Sequence, residues 1–281
     1  MRLLPALFLW CAAFAAAAPF LNRATARSIY QGVALVLSYL LNWVPALGYP
    51  WVSPLGIAWS LAIEEQFYLL WPPLLLLLLR RGARPRRLAA GLAAAVAFVC
   101  AYRALLWQSG ATITRVYYGT DTRADALLVG CLLGVLVACG LLPRGRNFKL
   151  FLRAAAASGA LFLCLISTRI TWASGWLYLG GLTVVACSAA AVVAATVVHP
   201  WRPALLLLRF PPLVWFGRIS YGLYLWHFPV TRLIYPNQDR APLAGKLLAS
   251  ALAVLCAAAS YYLVERRFLR LKGRFSPRPP A

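Results

Sequence analysis

The clearest indication of the fold class is the run "WSLAIEEQFYLLWPPLLLLLL" at residues 59–79. An apolar run of roughly 20 residues is long enough to cross the hydrocarbon core of a bilayer as a helix. This run nevertheless carries two adjacent carboxylates, Glu64 and Glu65. An acid at the centre of a membrane helix costs about 2.5–3.5 kcal/mol, so the two acids need polar partners or a water-filled cavity. The stretch therefore predicts a membrane-spanning helix that contains a polar site.

The composition extends this prediction to the whole chain. Of 281 residues, 63% are hydrophobic and 12% are charged, whereas soluble domains have about 25% charged residues. The net charge of +22 comes from Arg and Lys in short loops such as "RRGARPRR" at 80–87. This distribution is typical of cytoplasmic loops and excludes a nucleic-acid partner.

All seven cysteines fall in apolar segments, which predicts small buried residues and no metal site.

The apolar segments predict an all-α bundle with eight or nine apolar transmembrane helices. Residues 31–48, which include Pro45, predict a non-spanning helix on the outer side, leaving eight crossings. The basic loops and the tail at 266–281 are predicted to be cytoplasmic, and residues 1–265 to form one domain. The N-terminus also fits a signal peptide, and this alternative stays open. The segments are 3–21, 31–48, 57–79, 88–107, 124–142, 150–168, 175–198, 213–235 and 242–264.

Polar residues of the first stretch share one helix face. Ser60, Glu64 and Tyr68 recur every fourth residue, whereas Glu65 points about 100° away. Glu64 lies on the order of 10 Å from the outer end of the predicted helix. Such an acid predicts a functional site, and a structural buried ion pair is the alternative.

A second polar stripe occurs in "FGRISYGLYLWHFPV" at 216–230. Ser220, Tyr224 and His227 fall on one helix face, and His227 lies ~12 Å from the outer end. Because this depth is close to that of Glu64, the sequence predicts that both residues line a common cavity. A carboxylate and an imidazole there can manage a proton during group transfer, or form a proton relay in a transporter.

A third cluster begins the predicted helix 124–142. Arg123 and Asp125 lie at its outer end, where a structural role is as open as a functional one. Asp121 or Thr122 is predicted to cap this helix. Arg103, near the outer end of the preceding helix, is predicted to extend its guanidinium toward the interface.

The blocks "WSLAIEEQFYLLWP", "DTRADALLVGCLLG", "GRISYGLYLWHFPV" and "ASYYLVERRFLR" follow one another along the chain. Together they resemble the membrane-bound acyltransferase 3 family. The resemblance implies an integral membrane enzyme of the bacterial inner membrane that moves an acyl group, usually acetyl, from acyl-CoA to a carbohydrate hydroxyl. Acceptors in the family include lipopolysaccharide, peptidoglycan, exopolysaccharides and macrolide sugars. The donor is a substrate, so no permanently bound cofactor is expected.

The resemblance also implies which residues form the site. We expect catalytic roles for Glu64, Glu65 and His227, and donor binding by Arg2, Arg123 and Asp125. The late glutamate of the family pattern falls on Glu265. The residues expected to contact the acceptor are Ser60, Tyr68, Ser220, Tyr221 and Tyr224.

One departure from the family pattern concerns the start of the chain. Family members normally have further helices ahead of a "RLLPAL"-like sequence, and these helices carry a histidine regarded as the catalytic base. This chain begins "MRLLPAL", and neither His199 nor His227 matches that histidine. The resemblance therefore predicts a truncated member of the family, and either a misassigned start or a genuine fragment would explain it.

Three functions remain open at this point. The leading hypothesis is an O-acyltransferase whose partners are acyl-CoA, a carbohydrate acceptor and the lipid bilayer. The second is a proton-coupled transporter or flippase of envelope carbohydrate, although no inverted repeat is detected. The third is a non-catalytic membrane scaffold.

Overall fold

The fold is known from a computed structural model, which describes residues 4–50, 54–200, 202–235 and 242–275. These residues contain no strand, so the predicted all-α class is confirmed. The helices are α1 (Leu4–Ala17), α2 (Arg23–Leu37), α3 (Trp43–Ala46), α4 (Trp59–Arg80), α5 (Pro85–Gln108), α6 (Ile113–Tyr118), α7 (Thr120–Ala138), α8 (Arg146–Arg169), α9 (Gly181–Val198), α10 (Arg202–Leu208), α11 (Pro211–Ile234), α12 (Leu243–Ser260) and α13 (Arg266–Phe275). A π-helical segment, Tyr261–Glu265, joins α12 to α13.

The helices belong to two compact units. The first unit comprises Met1–Ser38, Val52–Ala58 and Leu207–Ala281, and the second comprises Tyr39–Trp51 and Trp59–Leu206. The first unit therefore contains α1, α2 and α11 to α13, while the second contains α3 to α9. Each unit has its own packed interior.

In the first unit, α1 buries one stripe of residues and α11 packs closely on α12. Ala6, Leu7, Trp10 and Cys11 are buried at the spacing of a single helix face. The contact of α11 with α12 depends on Gly222, because a Cβ at this position would lie 3.0 Å from the carbonyl oxygen of Ala257. Small residues at such contacts allow helix backbones to approach each other in membranes.

We expect Gly222→Leu to lower the free energy of unfolding by about 1–3 kcal/mol, because the new side chain must push α12 away. Gly217→Leu, on the same helix, is the control, because a Cβ there meets no atom within 4 Å. Equal apparent melting temperatures of the two variants in detergent would contradict the close contact.

In the second unit, α7 is the central helix. It packs against α4, α5, α6 and α9, and α9 in turn packs against α8. By contrast, α4 and α5 barely touch each other, although a short turn at 81–84 connects them. Helices joined by such short turns are usually packed neighbours. A gap is therefore left between α4 and α5.

The predicted number of eight or nine spanning helices is not supported. Among the described residues, five helical segments are long and apolar enough to cross a bilayer: Leu55–Arg80, Pro85–Gln108, Arg146–Arg169, Gly181–Val198 and Leu243–Arg270. Of the other candidates, α1 has only 14 residues and α2 only 15. Charged residues begin α7, and polar residues recur along α11. Neither helix therefore combines the high hydropathy and the low charge of the five segments.

The predicted helix at 31–48 is two helices. Helix α2 begins after Asn22, whose side chain accepts a hydrogen bond from the amide of Thr25, and it ends at Leu37. The chain then turns through Tyr39, which has a φ of 58°. That conformation is uncommon for a residue with a side chain and interrupts the helix.

The seven cysteines are free thiols. Their predicted burial is wrong for Cys139, Cys164 and Cys187, which are exposed. The apolar pattern of a membrane helix does not separate core positions from lipid-facing ones, because both environments are apolar.

Candidate active site

A hydrogen-bond network surrounds Gln66 in the second unit. Its Nε2 donates to the carbonyl oxygen of Tyr39 at 2.6 Å and to Oδ1 of Asn42 at 3.0 Å. Its Oε1 accepts from the hydroxyl of Thr120 at 2.5 Å. Asn42 completes the network by donating to Thr120 Oγ1 and to the carbonyl oxygen of Tyr118, both at 3.0 Å. The network therefore fixes α4 against α7 and the 39–42 turn.

Glu64 and Glu65 immediately precede Gln66 on α4 and are both half-buried. Among the described residues, neither carboxylate forms an ion pair. Burial, and then the charge of Glu65, raises the pKa of the Tyr39 phenol. The two acids are therefore only partly enclosed, on a helix that the Gln66 network holds against α7.

The buried ion pair of the second unit involves Asp125. Its Oδ2 accepts from Arg103 Nη1 at 2.9 Å and from the hydroxyl of Thr183 at 2.5 Å. Arg103 also donates to the carbonyl oxygen of Thr122 at 2.7 Å, and the whole Arg103 side chain is inaccessible to solvent. The prediction that Arg103 extends toward the interface is therefore wrong. The sequence also gave no indication of Thr183.

Arg123 lies among aromatic rings. Its guanidinium is 5.1 Å from the ring of Tyr117 and 5.8 Å from the ring of Trp59, distances at which cation–π attraction operates. Arg123 and Asp125 therefore have different partners, although they are two residues apart.

The start of α7 differs from the prediction. Gly119 is the N-cap, so neither Asp121 nor Thr122 caps the helix. The Thr122 hydroxyl instead donates to the carbonyl oxygen of Gly119. Asp121 accepts two hydrogen bonds from Arg115, at 2.9 and 2.5 Å. The hydrogen bond with Asp121 raises the pKa of the Arg115 guanidinium.

His227 and Tyr224 lie together on α11 in the first unit. Nδ1 of His227 is 2.8 Å from the carbonyl oxygen of Tyr224 and 3.0 Å from that of Leu223. Because a carbonyl oxygen only accepts hydrogen bonds, Nδ1 carries a proton and Nε2 is the basic nitrogen of the neutral ring. The Tyr224 hydroxyl donates to the carbonyl oxygen of Ile57. This geometry is compatible with proton transfer at Nε2.

The remaining predicted residues lie in varied surroundings. Ser220 is exposed, and its hydroxyl donates to the carbonyl oxygen of Gly217 in its own helix. Tyr68 is 52% exposed, whereas Ser60 and Tyr221 are half-buried. Glu265 is completely buried in the π-helical segment. Arg2 lies outside the described residues.

The predicted site residues are divided between the two units. Ser60, Glu64, Glu65, Tyr68, Arg123 and Asp125 belong to the second unit, while Ser220, Tyr221, Tyr224, His227 and Glu265 belong to the first. Within the first unit, Tyr224 and His227 are neighbours, with ring centroids 6.2 Å apart. The cavity shared by Glu64 and His227 stays a prediction.

We expect Asn42→Ala to lower the free energy of unfolding by about 1–3 kcal/mol, because the fully buried Asn42 side chain supplies partners to the part-buried Gln66 and Thr120. Asn147→Ala is the matched control, since Asn147 is exposed near the start of α8. Thermal unfolding in detergent measures both effects. Equal melting temperatures would contradict a stabilising role of the network.

Five apolar segments of spanning length and the buried polar residues define a multi-pass helical membrane protein. The chain belongs to the acyltransferase 3 family, because a family model described as an acyltransferase domain matches residues 1–264. No solved structure matches the chain.

Named relatives include cell-wall O-acetyltransferases. The chain is 32% identical over 279 residues to a putative peptidoglycan O-acetyltransferase, YrhL, of Bacillus subtilis; the match covers 94% of this chain and 44% of the relative. It is 34% identical over 251 residues to the peptidoglycan O-acetyltransferase OatA of Listeria monocytogenes, covering 84% and 39%. The O-acetyltransferase OatA of Staphylococcus aureus is 30% identical over 283 residues, covering 97% and 46%. The chain therefore spans less than half the length of these relatives.

Proposed function

We propose that the chain is a membrane O-acetyltransferase that acts on cell-wall carbohydrate, with peptidoglycan as the acceptor and acyl-CoA as the donor. The observation that carries the proposal is the family match over residues 1–264, together with relatives named as peptidoglycan O-acetyltransferases. The same relatives favour neither a transporter nor a lipopolysaccharide acceptor.

The proposed reaction needs a base and a fixed acceptor. The acceptor hydroxyl oxygen attacks the thioester carbonyl carbon, its proton passes to the base, and CoA leaves as the thiolate before taking up a proton. We assign the base to Glu64, because its half-buried carboxylate is free of ion pairs within the described residues and lies on α4, which the Gln66 network fixes against α7.

His227 is a second proposed proton-transfer group. Its Nδ1 is occupied by backbone carbonyl oxygens, which holds the ring and leaves Nε2 for a substrate.

Donor binding by Arg123 remains part of the proposal. The aromatic rings of Tyr117 and Trp59 hold this guanidinium in place. Because Asp125 pairs with Arg103, we assign Asp125 a positioning role for α7 rather than direct contact with the donor.

The function is tested by supplying labelled acetyl-CoA and purified peptidoglycan to membranes that contain the chain. We expect label on peptidoglycan that mild alkali releases, since alkali cleaves O-esters more readily than amides. Membranes without the chain, and a second envelope polysaccharide as acceptor, are the controls. Label on the other polysaccharide alone would contradict the assignment of peptidoglycan as the acceptor. Absence of any label, with folded protein present, would contradict the transferase activity of this chain.

A further inference from the structure

The gap between α4 and α5 forms a groove of about 970 Å³ in the second unit. Its wall is apolar over most of its length and consists of side chains from α4, α5 and α7. Leu70 and Leu74, on the α4 side, are 67% and 48% exposed. Further residues of the wall are Phe67, Trp71, Leu78, Leu88 and Leu128.

One end of the groove is basic. Arg81 and Arg87 line it where α4 ends and α5 begins, and both side chains are exposed. Among the described residues, neither guanidinium forms an ion pair. Because α4 and α5 are both of spanning length, their connection lies at a membrane interface.

The other end of the groove is polar, and its polar side chains already have hydrogen-bond or ion-pair partners. Gln66 and Thr120 hydrogen-bond to each other, and Asp121 is paired with Arg115. This end therefore has no need of a polar ligand. A ligand of the groove requires a negative group at Arg81 and Arg87 and an apolar body elsewhere.

We propose that this groove binds an anionic phospholipid, with the phosphate at Arg81 and Arg87 and an acyl chain along α4. Basic pockets between membrane helices are known sites for acidic lipid head groups. The apolar wall on α4 runs from Phe67 to Leu78, about 16 Å at the helical rise per residue. One leaflet of a bilayer has about 15 Å of hydrocarbon, so an acyl chain fits this length.

An acyl-CoA molecule fits the groove less well. Its pantetheine arm contains amide groups, and a wall of leucine side chains leaves such groups without hydrogen-bond partners. The lipid assignment is independent of the proposed acetyl transfer, because it concerns binding and needs no reaction.

The experiment measures lipid binding to the delipidated full chain by native mass spectrometry. Phosphatidylglycerol and phosphatidylcholine with identical acyl chains are the probes. We expect phosphatidylglycerol to bind about 30-fold more tightly, from about 1 kcal/mol for each arginine. Arg81→Gln/Arg87→Gln should remove this preference. Arg84→Gln/Arg86→Gln should retain it, because these exposed arginines of the same connection do not line the groove.

A second pair of variants tests the apolar part of the groove. Gly91 lines it, and a Cβ at this position meets no atom within 4 Å. Gly91→Phe should fill the space and weaken phosphatidylglycerol binding about tenfold, whereas Gly91→Ala should bind as the parent chain does. An equal loss of the phosphatidylglycerol preference in the two double arginine variants would contradict the groove site and would indicate binding to diffuse surface charge. Acetyl-CoA that displaces the lipid and loses binding in Arg81→Gln/Arg87→Gln would assign the groove to the donor instead.

Discussion

Asp125→Ala should lower the free energy of unfolding by about 3–5 kcal/mol, since it leaves the Arg103 guanidinium buried without its carboxylate. The carbonyl oxygen of Thr122 and the hydroxyl of Thr183 still contact Arg103, but neither neutralises its charge. Reversible denaturation in detergent micelles measures the loss.

Two variants make the Asp125 prediction specific. Asp121→Ala removes an equal charge from a partly exposed pair with Arg115, so its cost should be about 0–1 kcal/mol. The double variant Arg103→Met/Asp125→Leu removes both charges and should recover much of the lost stability. An equal effect of Asp121→Ala and Asp125→Ala would show that the buried pair contributes no more than the partly exposed one.

Glu64→Gln should lower the rate of acetyl transfer by about 10²–10⁴-fold, the range that a positioned general base contributes. The amide keeps the size of the side chain but cannot accept the acceptor's proton. The rate is measured at saturating donor and acceptor, so that weakened substrate binding is not counted. Unchanged thermal unfolding would show that the variant is folded.

Glu64→Asp and Asp121→Asn are the controls for the Glu64 prediction. The first variant keeps a carboxylate and should recover part of the rate, whereas the second removes a negative charge elsewhere on the same unit and should leave the rate near that of the parent chain. A full rate for Glu64→Gln would remove Glu64 from the mechanism and leave His227 and Glu65 as the proposed proton-transfer groups.

Local patterns predicted a good part of this molecule. The apolar runs predicted the helical class, because a backbone in lipid must satisfy its hydrogen bonds internally. The acidic stretch correctly placed Glu64 and Glu65 on one long helix, α4. Four sequence blocks indicated the family, which the match over residues 1–264 confirmed.

Contacts between residues that are far apart in the chain could not be predicted from the sequence. Arg103 and Asp125 are 22 residues apart, and Asn42 contacts Thr120 across 78 residues. A signal for the first pair did exist, since an arginine near the end of one apolar helix faced an acid near the start of the next long one. Apolar periodicity also failed to count the spans, because it does not separate short helices that end in a turn from helices that cross the bilayer.

The buried pair between α5 and α7 has a consequence for biogenesis. The ribosome synthesises Arg103 before Asp125, so α5 reaches the translocon while its guanidinium still lacks a counter-charge. Lateral release of α5 into lipid at that moment would expose this guanidinium to hydrocarbon. Membrane integration of α5 should therefore wait until α7 has been synthesised and Asp125 can pair with Arg103.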